Sequence, residues 1–333
     1  MRILKVVLFL LVVGLAVELS FRVYMYGPSS LNPLVMNSMV QIHDSGFLKT
    51  ADVPEVRYEL RPDIDTIYKG MMFQTNSAGM RDEEYALAKP ADTFRVAVLG
   101  SSWTMGSGVA NDEIWHSQLE QKLNDADGDT HYEFLNFAVD QYGLGEMIAS
   151  LKYKALAYDP DLILVAVTHW TPLVPWDYLP PTYVPKPRRY AMFNLHALRM
   201  ADLALGTQWF VESDKPDLLR DMARFRMQMV HAGKELNDII QTRKIPVMVV
   251  KLAYQRPWLK QTEEGTLDDI VRPNPDIHYF ETLEAVIANG YSISEMAVSK
   301  WDSHPNPLTH GLIADAIQEE MRASQLLGVT QGL

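Results

Sequence analysis

Short apolar runs and longer amphipathic stretches take turns along most of this chain. The runs at about 95–99, 132–137, 161–167 and 245–250 are rich in β-branched residues and predict strands. Asp161-Leu-Ile-Leu-Val-Ala-Val167 lacks polar alternation, which predicts a central parallel strand covered on both faces. Pro246 stands at the start of the last run, where a missing N–H is tolerated. The stretches at about 112–124, 144–157, 216–243 and 308–325 predict helices. Asn111 or Asp112 would cap the first, and Pro216 suits the first turn of the third. In the last stretch Leu308, Leu312, Ile313, Ala316, Ile317 and Met321 share one helical face, which would dock on the sheet. This alternation predicts an α/β architecture with a mostly parallel sheet.

Two stretches break the rhythm. Residues 27–92 are rich in Pro, Asp and Tyr, with a turn expected at Asn76–Gly79, and predict an extension that packs on a main domain at 93–330. An insertion at about 170–215 opens with Pro172, Pro175, Pro180, Pro181, Pro185 and Pro187 among Trp170, Trp176, Tyr178 and Tyr183. That composition resists both helix and ladder and predicts a loop or lid beside the strand ends. An aromatic loop that shields the sheet or rests on a membrane is the other reading.

The first 26 residues stand apart. A basic start, Met1-Arg-Ile-Leu-Lys5, precedes Val6–Val17, which is apolar apart from Gly14, and Glu18, Ser20 and Arg22 then interrupt the run. The pattern is that of a membrane anchor or a signal segment. A cleaved signal would want an A-x-A arrangement that Ala16-Val17-Glu18 does not offer, and a lipoprotein signal needs a cysteine. The uncleaved helix is the leading reading, with Glu18 and Arg22 snorkelling to reach the roughly 20 residues a bilayer requires. Arg2 and Lys5 then place the short end in the cytoplasm and the rest of the chain outside, or secreted if the segment is cleaved.

With 333 residues, 47% hydrophobic and 22% charged, the chain has ordinary globular composition and ample core. A net charge of −12 excludes capture of a phosphate backbone, so no nucleic-acid partner is expected. The lack of cysteine excludes a thiol nucleophile and thiolate-bound zinc. No metal-ligand spacing, P-loop ending or G-x-S-x-G elbow is present, and neither metal nor cofactor is implied.

Candidate chemistry sits at two places. The strand Phe94-Arg-Val-Ala-Val-Leu99 stops at Gly100 and delivers Ser101 and Ser102 to its end, where open α/β sheets keep their ligands. Trp301-Asp-Ser-His-Pro-Asn306 places a carboxylate and an imidazole on one expected loop before the last helix. Nucleophile, acid and base thus occur in the order Ser102, Asp302, His304.

Gly100-Ser-Ser-Trp-Thr-Met-Gly106 and Asp302-Ser-His-Pro305 resemble the first and last blocks of the SGNH (GDSL-type) hydrolase superfamily. Thr75-Asn-Ser-Ala-Gly-Met-Arg81 followed by Phe94-Arg95 is similar to the lead-in of its bacterial membrane-anchored members. The resemblance spans roughly residues 70–325. It implies a flavodoxin-like three-layer α/β/α fold behind an N-terminal membrane helix. It also implies Ser102 as nucleophile, His304 as general base and acid, and Asp302 as the group orienting the ring, although many members carry that acid at the position of Trp301. For the oxyanion it implies the Ser102 N–H, with Gln141 in the place of a glycine, Gly143 two residues on, and His169 where an asparagine is usual. Ser101 replaces the usual aspartate. The function implied is a serine esterase acting on O-acyl, chiefly O-acetyl, esters of an envelope or secreted glycan, with an acylated carbohydrate or small ester as substrate. O-acetyl transfer to an exopolysaccharide is the enzymatic alternative. A catalytically silent glycan-binding or scaffold relative is the non-enzymatic one, favoured by Ser101, Gln141 and His169.

Overall fold

Arg2–Tyr26 form one helix, α1, in the computed structural model, which describes residues 2–39, 42–126, 128, 130–168, 205, 222–254, 274–299 and 302–327. An 18-residue window within Arg2–Tyr24 has a mean hydropathy of 2.5, and the helix is long and apolar enough to cross a membrane. Glu18 and Arg22, one turn apart, bond to each other at 2.7 Å, and Glu18 is buried where α1 meets the 3-10 turn Pro28–Leu31.

The extension is richer in strands than its composition suggests. After α2 (Pro33–Ser38), capped by Asn32, and α3 (Ile42–Ser45), four short strands follow: β1 (Leu48–Thr50), β2 (Tyr58–Leu60), β3 (Asp65–Tyr68) and β4 (Met71–Gln74). They pair as two antiparallel ribbons, β1 with β2 and β3 with β4.

The main domain then runs β5 (Thr93–Leu99), α4 (Ser102–Met105), α5 (Trp115–Ala126), β6 (His131–Asn136), α6 (Leu144–Tyr153) and β7 (Leu162–Val167). It continues through α7 (Met222–Arg243), β8 (Val247–Lys251) and β9 (Ile277–Glu281). After α8 (Leu283–Ile287) and α9 (Ile293–Met296), β10 (Ala297–Ser299) pairs antiparallel with β11 (Asp302–Pro305), and α10 (Pro307–Ala323) closes the described chain. Residues 216–221 of the expected third helix and the insertion at 170–215, Leu205 excepted, lie outside the described residues.

The large sheet is parallel throughout, in the order β6-β5-β7-β8-β9. This is the doubly wound flavodoxin-like arrangement, and strand order reverses between β5 and β7. Alternate residues divide cleanly between its two faces. Ala97, Leu99, Ile163, Val165, Val247 and Val249 join α6, α7 and the extension. Val96, Val98, Leu162, Leu164, Met248 and Val250 join α5 and α10. Three layers result. β9 escaped the sequence reading because it is half-buried along its whole length, as an edge strand can be, and so carries no unbroken apolar run.

The expected cap of α5 is also corrected. Asn111 opens a 3-10 turn, Asn111–Glu113, and its side chain is engaged elsewhere: Arg81 Nε donates to Oδ1 at 2.9 Å and Nδ2 donates to Gln74 O at 3.0 Å. Arg81 is 1% exposed, and among the described residues no carboxylate pairs with it. Its guanidinium instead donates to the carbonyls of Met105 at 2.9 Å, Val109 at 2.5 Å, Met72 at 3.2 Å and Gly106, and lies 4.4 Å from the Phe73 ring. Burial draws it down to about 9, still charged at neutral pH. Arg81→Met would strand several buried acceptors at once, each costing about 1–3 kcal/mol. We expect a loss of about 3 kcal/mol or more, read as a fall in the urea midpoint of the full chain.

Candidate active site

β5 ends at Leu99, and the next residue is a glycine, Gly100, where a Cβ would collide with the Thr104 side chain. The chain turns at once into α4, and Ser102 is its first residue. The helix is a single turn long: the N–H groups of Gly106 and Ser107 both close on Ser102 O, and Gly106 leaves it with φ 83°. Ser102 itself is half-buried, and among the described residues neither its N–H nor its hydroxyl has a hydrogen-bond partner.

Asp302 and His304 lie on strand β11, not on the loop expected from sequence, because residues 302–305 pair back onto β10. The pairing shifts by one residue between Ser299–Asp302 and Ala297–Pro305, and the two side chains meet across that irregularity. Asp302 Oδ1 contacts His304 Nδ1 and also accepts the His304 backbone N–H at 3.1 Å. Oδ2 takes a bond of 2.8 Å from Lys69 Nζ. Burial alone would raise this carboxyl, but His304 and Lys69 together hold it well below the usual carboxylate range. A carboxylate at Nδ1 keeps the ring proton there and leaves Nε2 as an acceptor. Nε2 has no partner among the described residues.

The two halves of the candidate site meet through aromatic packing. α4 lies against β11. Trp103 is buried with its ring 5.1 Å from that of Tyr254, and the Tyr254 hydroxyl donates to Ser303 O at 2.5 Å. Tyr254 thus touches a neighbour of each, packing on Trp103 beside Ser102 and bonding to Ser303 beside His304. Ser102 Oγ and His304 are not hydrogen-bonded to each other; catalytic contacts often tighten only with substrate bound. His310 is buried in α10, where Nδ1 accepts the Trp115 N–H at 3.2 Å and burial pushes the ring down to about 3.

Among the expected oxyanion donors, Gln141 takes φ 64°, the left-handed conformation that a glycine would adopt freely. Among the described residues its N–H has no acceptor. Its turn is held from outside: Tyr58 of β2 donates to Asp140 O at 2.9 Å, and Tyr142 donates back to Tyr58 O at 2.5 Å. Gly143 is placed differently. Its N–H is occupied by Glu146 Oε2 at 3.1 Å, which caps α6. His169 lies outside the described residues. The sequence reading missed Lys69 and Tyr254, for which Gly70 after Lys69 was the single local cue, a turn signal.

No family model matches the chain, and no curated protein matches it. Solved structures do. A two-domain esterase active on acetylated mannans, crystallised with mannopentaose, aligns at 14% identity and a TM-score of 0.44 over 70% of this chain and 50% of that one. An acetylxylan esterase from Geobacillus stearothermophilus aligns at 11% identity and 0.41, over 68% and 94%. A putative lipolytic protein of the G-D-S-L family from Desulfitobacterium hafniense aligns at 12% and 0.38, over 68% and 98%. The chain thus spans about half the length of the two-domain esterase it resembles.

Since Gln141 holds a conformation costing an L-residue roughly 1–2 kcal/mol, partly offset by the entropy of glycine, Gln141→Gly is expected to be neutral or to stabilise by up to about 1 kcal/mol. Gln141→Val is expected to destabilise. Urea unfolding of both variants checks this.

Proposed function

We propose that this chain is an SGNH-type serine esterase that removes O-acyl groups, chiefly acetyl, from hydroxyls of a glycan. We further propose that α1 anchors it in a membrane, with the rest of the chain on the outer side as the basic Arg2 and Lys5 imply. The observation that carries the reading is the Asp302–His304 pair on β11, packed against the helix that Ser102 opens at the end of β5. The site also stands beside the reversal in strand order, where folds of this kind bind ligands.

In the proposed reaction Ser102 Oγ attacks the ester carbonyl carbon while His304 Nε2 takes its proton. The N–H groups of Ser102 and Gln141 receive the developing oxyanion, with His169 as the third donor. The C–O bond to the sugar then breaks, and His304 returns its proton to the departing alcohol. Water, deprotonated by the same nitrogen, attacks the acyl-serine; the acyl–Oγ bond breaks, His304 returns the proton to Oγ and the acid leaves. Asp302 stays charged and keeps the ring in the right tautomer.

Hydrolysis of p-nitrophenyl acetate by the full chain in detergent tests this. Ser102→Ala and His304→Ala are expected to fall by about a thousandfold or more, and Asp302→Asn by roughly a hundredfold to ten-thousandfold. Activity that survives Ser102→Ala removes the serine mechanism. No activity of the wild type on any acetylated substrate favours a silent binder, and acetate appearing on an added acceptor sugar identifies transfer.

A further inference from the structure

The residue that completes the Asp302 carboxylate comes from the extension. Lys69 and Gly70 are the two central residues of the β3–β4 hairpin, where Tyr68 pairs with Met71. Both have positive φ, 49° and 85°, as a two-residue type I′ turn requires. Glycine accepts this freely, and Asn or Asp accept it readily, whereas lysine is held there against its preference. The turn is fastened from behind. Lys69 N–H donates to Ser38 O and Gly70 N–H to Ser38 Oγ, each at 2.9 Å, at the end of α2. With the backbone fixed, the side chain is 11% exposed and runs to Asp302 Oδ2 at 2.8 Å.

We propose that Lys69 is a positioning residue of the catalytic centre, an ammonium supplied by the extension that locks the Asp302 carboxylate in the orientation His304 needs. The proposal rests on the serine-esterase reading above. Its physical basis is a division of labour between two oxygens. Oδ1 serves the ring and the His304 N–H, and nothing else on β11 reaches Oδ2 among the described residues. A carboxylate bonded through one oxygen can still swing about its own bond. Bonded through both, it cannot.

The charge also has a direction. The groups around the pair are Lys69 and Tyr68 on the hairpin, Tyr254 after β8, and His310 on α10, with Arg81 and His116 behind His310. The tyrosines are held protonated, chiefly by burial, and His310 is held neutral, so Lys69 is the cation that offsets Asp302. Without it the carboxylate acts on the ring unopposed and favours the imidazolium, which cannot accept the serine proton. Loss of Lys69 therefore moves the acid limb of the rate profile towards higher pH.

Because the chain has no cysteine, Lys69→Cys creates one alkylation site, which bromoethylamine converts to an ammonium on a side chain nearly isosteric with lysine. In the full chain in detergent, kcat on p-nitrophenyl acetate is expected to fall about tenfold to a hundredfold in Lys69→Cys, with KM little changed. The acid limb is expected to move towards higher pH. Aminoethylation restores both, and Lys69→Arg keeps most of the rate. A Lys69→Cys protein with wild-type kcat and pH profile overturns the proposal. So does one that melts at the wild-type temperature and is not rescued by aminoethylation. Should Lys69→Cys fail to fold, the same comparison between Lys69→Gln and Lys69→Arg decides. Ser102→Ala run in parallel separates the two ideas: if it stays active the esterase reading fails, and if it is dead while Lys69→Cys is unaffected only the role of Lys69 fails.

Discussion

A guanidinium buried without a counter-ion has to be solvated by something, and in this protein backbone carbonyls do it. Arg81 takes those of Met105, Gly106 and Val109 from one stretch of chain and that of Met72 from another. For three carbonyls so close in sequence to converge on one group, the segment after α4 must curl around it. That curl sets where α4 ends and so how Ser102 is presented. A Cβ on Gly106 would meet both Ile114 and the Arg81 side chain, which shows how closely the loop is drawn in. Breaking a bond network of this kind costs far more than a surface ion pair, because the acceptors left behind stay buried.

The same arrangement makes the extension part of the domain. Phe73, Tyr58 and Leu60 share a core with Ala97, Leu99 and Val165 of the sheet. Tyr58 holds the Gln141 turn, and Lys69 holds Asp302. Three separate segments of the site, at the ends of β5 and β6 and on β11, each have a partner among residues 58–81. A boundary drawn at residue 92 marks a change in composition, since the packing crosses it without interruption.

The legible features were those with local signals. Unbroken apolar runs announced β5, β7 and β8, and the change from strand to Gly100-Ser-Ser102 located the strand end. Features decided by distant partners were not legible. Asn111 looks like a helix cap, and only the presence of Arg81 tells where its amide goes. Asp302 and His304 look like loop residues, because β11 is a strand by virtue of β10 and has no β-branched run of its own. The D-x-H spacing looks irregular from sequence, and only the local shift in the β10–β11 pairing shows how both groups come to meet. Lys69 carries no mark in the sequence at all beyond the glycine that follows it.

Ser38, which fastens the Lys69 turn, stands only a dozen residues beyond the end of α1. Fully extended, that many residues reach about 40 Å, and here two helical turns shorten the path considerably. Under the anchoring proposed above, the hairpin that carries Lys69 is therefore tethered within that reach of the membrane end of α1.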